Sequence, residues 1–192
     1  DLVAQRANEN LDVPALQLTL AFYYAELGRH EEAAARLEAV AADNFAAIRM
    51  DAAWLMAMVR AADIAARVGA TAPAGALYEL LLPFRSHIAT SAAVVYGSVE
   101  RSLGLLAALL DRPDVADEHF AAAVDRHERI GAQLQLARTM LNWGHVLVAR
   151  GGEHDVRRGR LLLDRALTAA RERGGTAIQR EAEGLLATLA TV

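Results

Sequence analysis

Arginine is the main chemical resource of this sequence. All twenty basic residues are Arg and none is Lys, set against 24 acidic residues and six histidines. The guanidinium is a planar, permanently charged fork that grips carboxylates and phosphates at two points. The all-Arg usage carries no mechanism by itself, but such forks brought to one face could read an anion. Metal chemistry is the other possibility, but His30, His87, His119, His127, His145 and His154 form no i, i+4 pair and no H-E-x-x-H. His119 and His127 are two turns apart, too far to share one metal, and the six read as solvated helix-surface residues. Cysteine is absent, which removes disulfides, thiolate zinc sites and cysteine nucleophiles. Ser86, Ser91, Ser98 and Ser102 lack a G-x-S-x-G context, and a phosphate-binding G-x-x-x-x-G-K-[ST] loop cannot exist without Lys. The residues predict no enzyme, no cofactor and no metal.

Two further stretches carry charge without a site. GGEHD (151–155) puts carboxylates and a His on a glycine-rich turn, and with the insertion GGEHDVR (151–157) it reads as tolerated loop length. RRGRLLLDRALTAARER (157–173) interleaves Asp164 and Glu172 with its Arg residues and keeps helical apolar spacing. It reads as a solvated outer face. A net charge of −4 gives no electrostatic reason to expect nucleic acid. No run of 18 charge-free apolar residues appears, and DLVAQRANEN (1–10) lacks the plan of a signal peptide, so a cytoplasmic location is expected.

The elements that must position these groups are helices. The chain has 43 Ala, 28 Leu and only four Pro among 192 residues, the composition of closely packed helices. Gly104 interrupts the apolar run LGLLAALL, where a glycine costs about 1 kcal/mol relative to alanine and usually means that another backbone approaches closely. The explanation is a repeat. Turns at Gly28, Gly69, Asp111 and Gly151 are 41, 42 and 40 residues apart. Seven residues before each stands a small residue: Ala21, Ala62, Gly104, Gly144. After each come a small and then a large residue: Ala33 with Leu37, Ala74 with Tyr78, Ala116 with Phe120, and a displaced Gly159 with Leu163. Paired small residues let two helices cross closely while the large one fills the gap beside them.

The spacing predicts one all-α domain over 1–192, with hairpin units at 11–43, 45–85, 92–130 and 132–174. A capping helix at 176–190 places Ile178, Ala182, Leu185, Leu186 and Leu189 on one face. DLVAQRANEN reads as the tail of a preceding helix in a longer chain. SHIATSAA (86–93) reads as a long loop and a hinge between units.

These offsets resemble the tetratricopeptide repeat, although its unit is about 34 residues. That resemblance implies eight or nine helices in a right-handed α-α superhelix. ALYELLLPF (76–84), YGSVERSLGLLAALL (96–110) and ARTMLNWGHVLVARGG (137–152) together resemble the helical-repeat region of large bacterial regulators with a MalT-like plan. In that family the repeats follow an AAA/STAND-type ATPase module. Adenylate/guanylate-cyclase-like or LuxR-type helix-turn-helix domains lie elsewhere in the chain. The resemblance implies a non-catalytic signal-sensing or protein-interaction scaffold. Its partner would be a protein segment or another domain of the same chain. A small-molecule effector site and a structural or self-association role remain alternatives.

In stacked hairpins the first helices line the concave surface. In this register the surface holds Phe22, Glu26, Met56, Arg60, Asp63, Arg67, Arg101, Leu105, Arg138, Asn142 and His145. Arg60, Arg101 and Arg138 are then expected to form an anion-reading ladder, with Asn142 and His145 as hydrogen-bonding neighbours. The alternative reading of the same residues is ion-paired arginine on a wet surface.

Overall fold

A computed structural model describes residues 13–90 and 94–190. Among these residues the chain forms nine α-helices and one short hairpin of strands. Helix α1 (Pro14–Glu26) pairs with α2 (His30–Ala41), and α3 (Trp54–Val68) pairs with α4 (Ala74–Leu81), which runs into a 3₁₀ turn at Leu82–Phe84. Strands β1 (Ile88–Thr90) and β2 (Val95–Ser98) follow. Then α5 (Val99–Leu109) pairs with α6 (Pro113–Arg129), α7 (Gln133–Arg150) pairs with α8 (Glu153–Arg173), and α9 (Thr176–Ala190) closes the series. Prolines begin α1 and α6, where a missing N–H costs nothing. Asp111 occupies the turn position that is glycine in the other units and takes the same left-handed backbone, φ 55°. Asp is among the few non-glycine residues that tolerate this.

The first helices stack on one another in the order α1, α3, α5, α7, α9, and each second helix also packs on the first helix of the next unit. The third and fourth hairpins cross at their small residues. A Cβ on Gly104 would lie 3.0 Å from the Phe120 ring. One on Gly144 would lie 2.9 Å from the Gly159 carbonyl oxygen and from Leu163. Ala21 and Ala33, and likewise Ala62 and Ala74, are fully buried at the equivalent places. Phe120 then stacks on Trp143 of the next unit, with centroids 6.0 Å apart, so one core continues from hairpin to hairpin. Burying a side chain of this size contributes about 3 kcal/mol. In α9, Ile178 and Ala182 are buried, and Leu185, Leu186 and Leu189 pack against the core as expected. None of the described helices is long and apolar enough to cross a membrane.

Three boundaries differ from the sequence reading. The stretch 86–93 is not simply a loop. Ile88 pairs with Ser98, Ala89 with Gly97, and Thr90 with Val95 across a bulge, so the unit placed at 92–130 opens on a strand before its helix starts at Val99. Residues 91–93 lie outside the described set, as do 1–12, on which the expected helix tail falls. GGEHDVR is not an inserted loop either. Helix α8 starts at Glu153, whose carboxylate, with that of Asp155, sits in the first turn against the positive end of the helix. The second unit opens with turns, and its first helix starts at Trp54.

Candidate functional site

The stacked first helices enclose a groove of about 500 Å³. Nine of the eleven residues placed on this surface from sequence line its wall: Phe22, Glu26, Asp63, Arg67, Arg101, Leu105, Arg138, Asn142 and His145. Arg60 is not among the lining residues, but its guanidinium packs over two rings that are, Phe22 and Tyr96. Met56 is half-buried and does not line it. Helical geometry accounts for this placement, because residues three and four apart on α3 and on α7 share one face.

Carboxylates occupy two rungs of the expected ladder. Arg101 is only 3% exposed and holds Asp63 at two points, Nη1 to Oδ1 at 2.7 Å and Nη2 to Oδ2 at 2.9 Å. Its Nη1 also donates to Asn142 Oδ1 at 3.2 Å, joining α3, α5 and α7. Arg138 donates to Glu181 Oε2 at 3.0 Å. The same Glu181 oxygen lies 3.5 Å from Arg67 Nη2, which also holds Glu26 Oε1 at 3.1 Å. Hence α1, α3, α7 and α9 meet across the groove in one Glu–Arg–Glu–Arg chain. Arg67, Arg101 and Arg138 therefore brace the fold and are not open anion receptors.

Arg60 differs from the other three. Its Nη1 donates to Thr19 Oγ1 at 3.1 Å and its Nη2 to the Tyr96 hydroxyl at 3.2 Å. Its guanidinium lies over the Phe22 ring at 5.1 Å and the Tyr96 ring at 5.4 Å. Among the described residues no carboxylate comes within ion-pair distance of it. The acid one turn along α3, Asp63, is committed to Arg101.

Two histidines are buried, correcting the surface reading. His127 is fully buried. Its Nε2 accepts the Ser98 N–H at 2.8 Å, and its Nδ1 lies 3.1 Å from Thr139 Oγ1, which donates to the Gln135 carbonyl. That chain of donors assigns a neutral ring protonated on Nδ1. Burial, then the positive fields of Arg101 and Arg126, lower its pKa to about 4. This imidazole anchors the strand hairpin, whose Val95 and Tyr96 form one wall of the groove.

His119 bridges the Tyr78 hydroxyl (2.9 Å) and Glu100 Oε2 (2.5 Å), and Arg85 stands 3.4 Å from the other Glu100 oxygen. Burial raises the Tyr78 phenol above its usual range. A Glu–His–Tyr line could pass a proton, but all three residues are buried and none of them borders the groove. Here they join α4, α5 and α6. Among the described residues no group of three or more acids and histidines is placed to hold a metal.

On the opposite side Asp117 performs the same cross-bracing. Burial raises its carboxyl, but hydrogen bonds from Arg150, Trp143 and Arg158 outweigh that and hold it below the usual carboxylate range. Arg158, from the stretch read as a solvated face, is tied there and lies 4.4 Å above the Trp143 ring.

Sequence reasoning missed Thr19, Tyr96 and Glu181 in the site. Tyr96 was hidden by the loop assignment of its neighbourhood. Thr19 and Glu181 carried a signal, because each lies on the inward face once α1 and α9 are phased by their apolar residues. A second cavity of about 790 Å³ lies between α1, α2 and the following connection. Four alanines line it beside Gln17, Glu32, Arg36 and Asp43, and it borders Pro14. Comparison with known protein families, with curated proteins and with solved structures gave no match.

Proposed function

We propose that this chain is a non-catalytic sensing scaffold whose groove binds a small organic effector. On this reading it serves a larger bacterial ATPase-type transcriptional or signalling regulator, as the tetratricopeptide-like and MalT-like features of its sequence suggest. The observation that carries it is convergence: α1, α3, α5, α7 and α9 each send a polar side chain into one cavity of about 500 Å³. That volume falls within the usual range for small-molecule sites, and the cross-groove ion pairs leave little room for a long segment. A ligand seated there contacts several hairpins at once. Its binding energy would bias their relative packing, which is the coupling a sensor needs. The Arg–carboxylate pairs that cross the groove favour binding over catalysis.

A second reading, docking of a protein segment or another domain, draws support from the exposed Leu16, Tyr23 and Leu27 on or just past α1. The i, i+7, i+11 spacing gives that helix an unfilled apolar stripe. The test is a thermal-shift screen against nucleotides, sugars, acyl compounds and short acidic peptides, with Ala66→Trp, which fills the groove, run in parallel. A specific ligand at a hundredfold excess over its Kd adds about 2.7 kcal/mol. The effector reading requires stabilisation that Ala66→Trp abolishes. Hits indifferent to that change, or hits confined to peptides, refute it.

A further inference from the structure

We infer that Arg60 is the seat for a carboxylate, and that the effector is a small organic acid whose apolar body lies along the groove. The inference rests on the effector reading above and gives the ligand a chemical class. Charge accounting leads to it. The groove, with Arg60 packed on its Phe22 and Tyr96 walls, carries Arg60, Arg67, Arg101 and Arg138 against Glu26, Asp63 and Glu181, one cation in excess. Geometry assigns the excess to Arg60, because the other three arginines hold all three carboxylates.

The Arg60 guanidinium is also already oriented. Phe22 and Tyr96 flank it, and the Thr19 and Tyr96 hydroxyls take one N–H from each terminal nitrogen. Neither hydroxyl neutralises the charge, and three of the five N–H donors have no acceptor among the described residues. A carboxylate is the planar, singly charged acceptor that such a fork fits. The Tyr96 wall is held firmly, since Gln135 donates to the Val95 carbonyl at 2.8 Å and His127 takes the Ser98 N–H. Along the groove, Leu105, Leu134, Val95 and Ile178 supply apolar wall. A headgroup of one negative charge with an alkyl or aryl body matches both parts.

The experiment is an NMR titration of the ¹⁵N-labelled chain with octanoate and, separately, with its neutral isostere octanamide, reading the Arg60 Nε–Hε resonance and the groove amides. A capped peptide carrying Glu between leucines forms a third arm. We expect saturable octanoate shifts at Arg60 and in the groove, and binding of octanamide weaker by about tenfold or more. Arg60→Gln should erase the difference between the two compounds, and Arg60→Lys should retain part of it. Equal binding of octanoate and octanamide by the unaltered chain overturns the carboxylate seat while leaving the groove reading intact. Arg60-dependent binding of the peptide alone overturns the small-acid class. Silence of every groove resonance with all three probes overturns the inference and the effector reading together. The octanoate–octanamide comparison needs no variant, so it stands even where Arg60→Gln folds poorly.

Discussion

Arg101 and Asp63, 38 residues apart on α5 and α3, share two hydrogen bonds of 2.7 and 2.9 Å at the base of the groove. The pair converts a would-be anion receptor into a strut, and it explains why Arg60, one turn from Asp63, keeps its charge uncompensated. Removing one member leaves the other poorly solvated without its counter-charge. Arg101→Ala is expected to cost about 3 kcal/mol in urea unfolding. A loss below about 1 kcal/mol would mean that the pair behaves like a surface contact.

The glycines at the helix crossings are expected to separate sharply under alanine substitution. Gly144→Ala puts a methyl 2.9 Å from a backbone oxygen that cannot yield, and should destabilise by about 2 kcal/mol. Gly184, exposed on α9 with no atom within 4 Å of its missing methyl, should gain up to about 1 kcal/mol from helix propensity. Equal effects at the two sites would refute the close-crossing account.

His127 gives the stability a pH dependence with a definite sign. Unfolded, it takes a proton below about pH 6.5; folded, it resists until about 4. The unfolded state thus binds more protons between these values. Stability is full above about 6.5 and falls as the pH drops toward 4, by a total on the order of 3 kcal/mol. His127→Gln should flatten this part of the curve relative to the unaltered chain. An unchanged slope would contradict the buried neutral assignment.

Much of this architecture was legible in the sequence, and the reasons are specific. Gly104 with Phe120, and Gly144 with Gly159, announce themselves because a helix-interior glycine needs a steric cause, so the hairpin register followed. With the register came the inward faces of α3, α5 and α7, and therefore most of the groove. The pairing of Arg101 with Asp63 was not legible. It depends on two helices approaching to hydrogen-bond distance, and a charged side chain looks alike in sequence whether braced or solvated. The buried His119 and His127 escaped for a related reason: their partners, Glu100, Tyr78, Ser98 and Thr139, lie on other elements. The strand hairpin was lost because two strands of three and four residues leave too short an alternating pattern to detect.

Glu181 should report on closure of the groove rather than on global stability. Its contacts with Arg67 and Arg138 are about 30% exposed, so Glu181→Ala should cost less than about 1 kcal/mol. Amide hydrogen exchange in α9 should nevertheless quicken, because the last helix loses its tie across the stack. Unchanged exchange in α9 would show that its apolar face alone fixes it.

The central claim is that ligands enter the groove of the first helices. The most direct measurement is amide chemical-shift mapping of whichever compound most raises the melting temperature. The account predicts that the largest shifts fall at Phe22, Asp63, Ala66, Leu105, Arg138 and Asn142, and vanish with Ala66→Trp. Shifts clustered instead on the outer faces of α6 and α8, unaffected by that substitution, would contradict it.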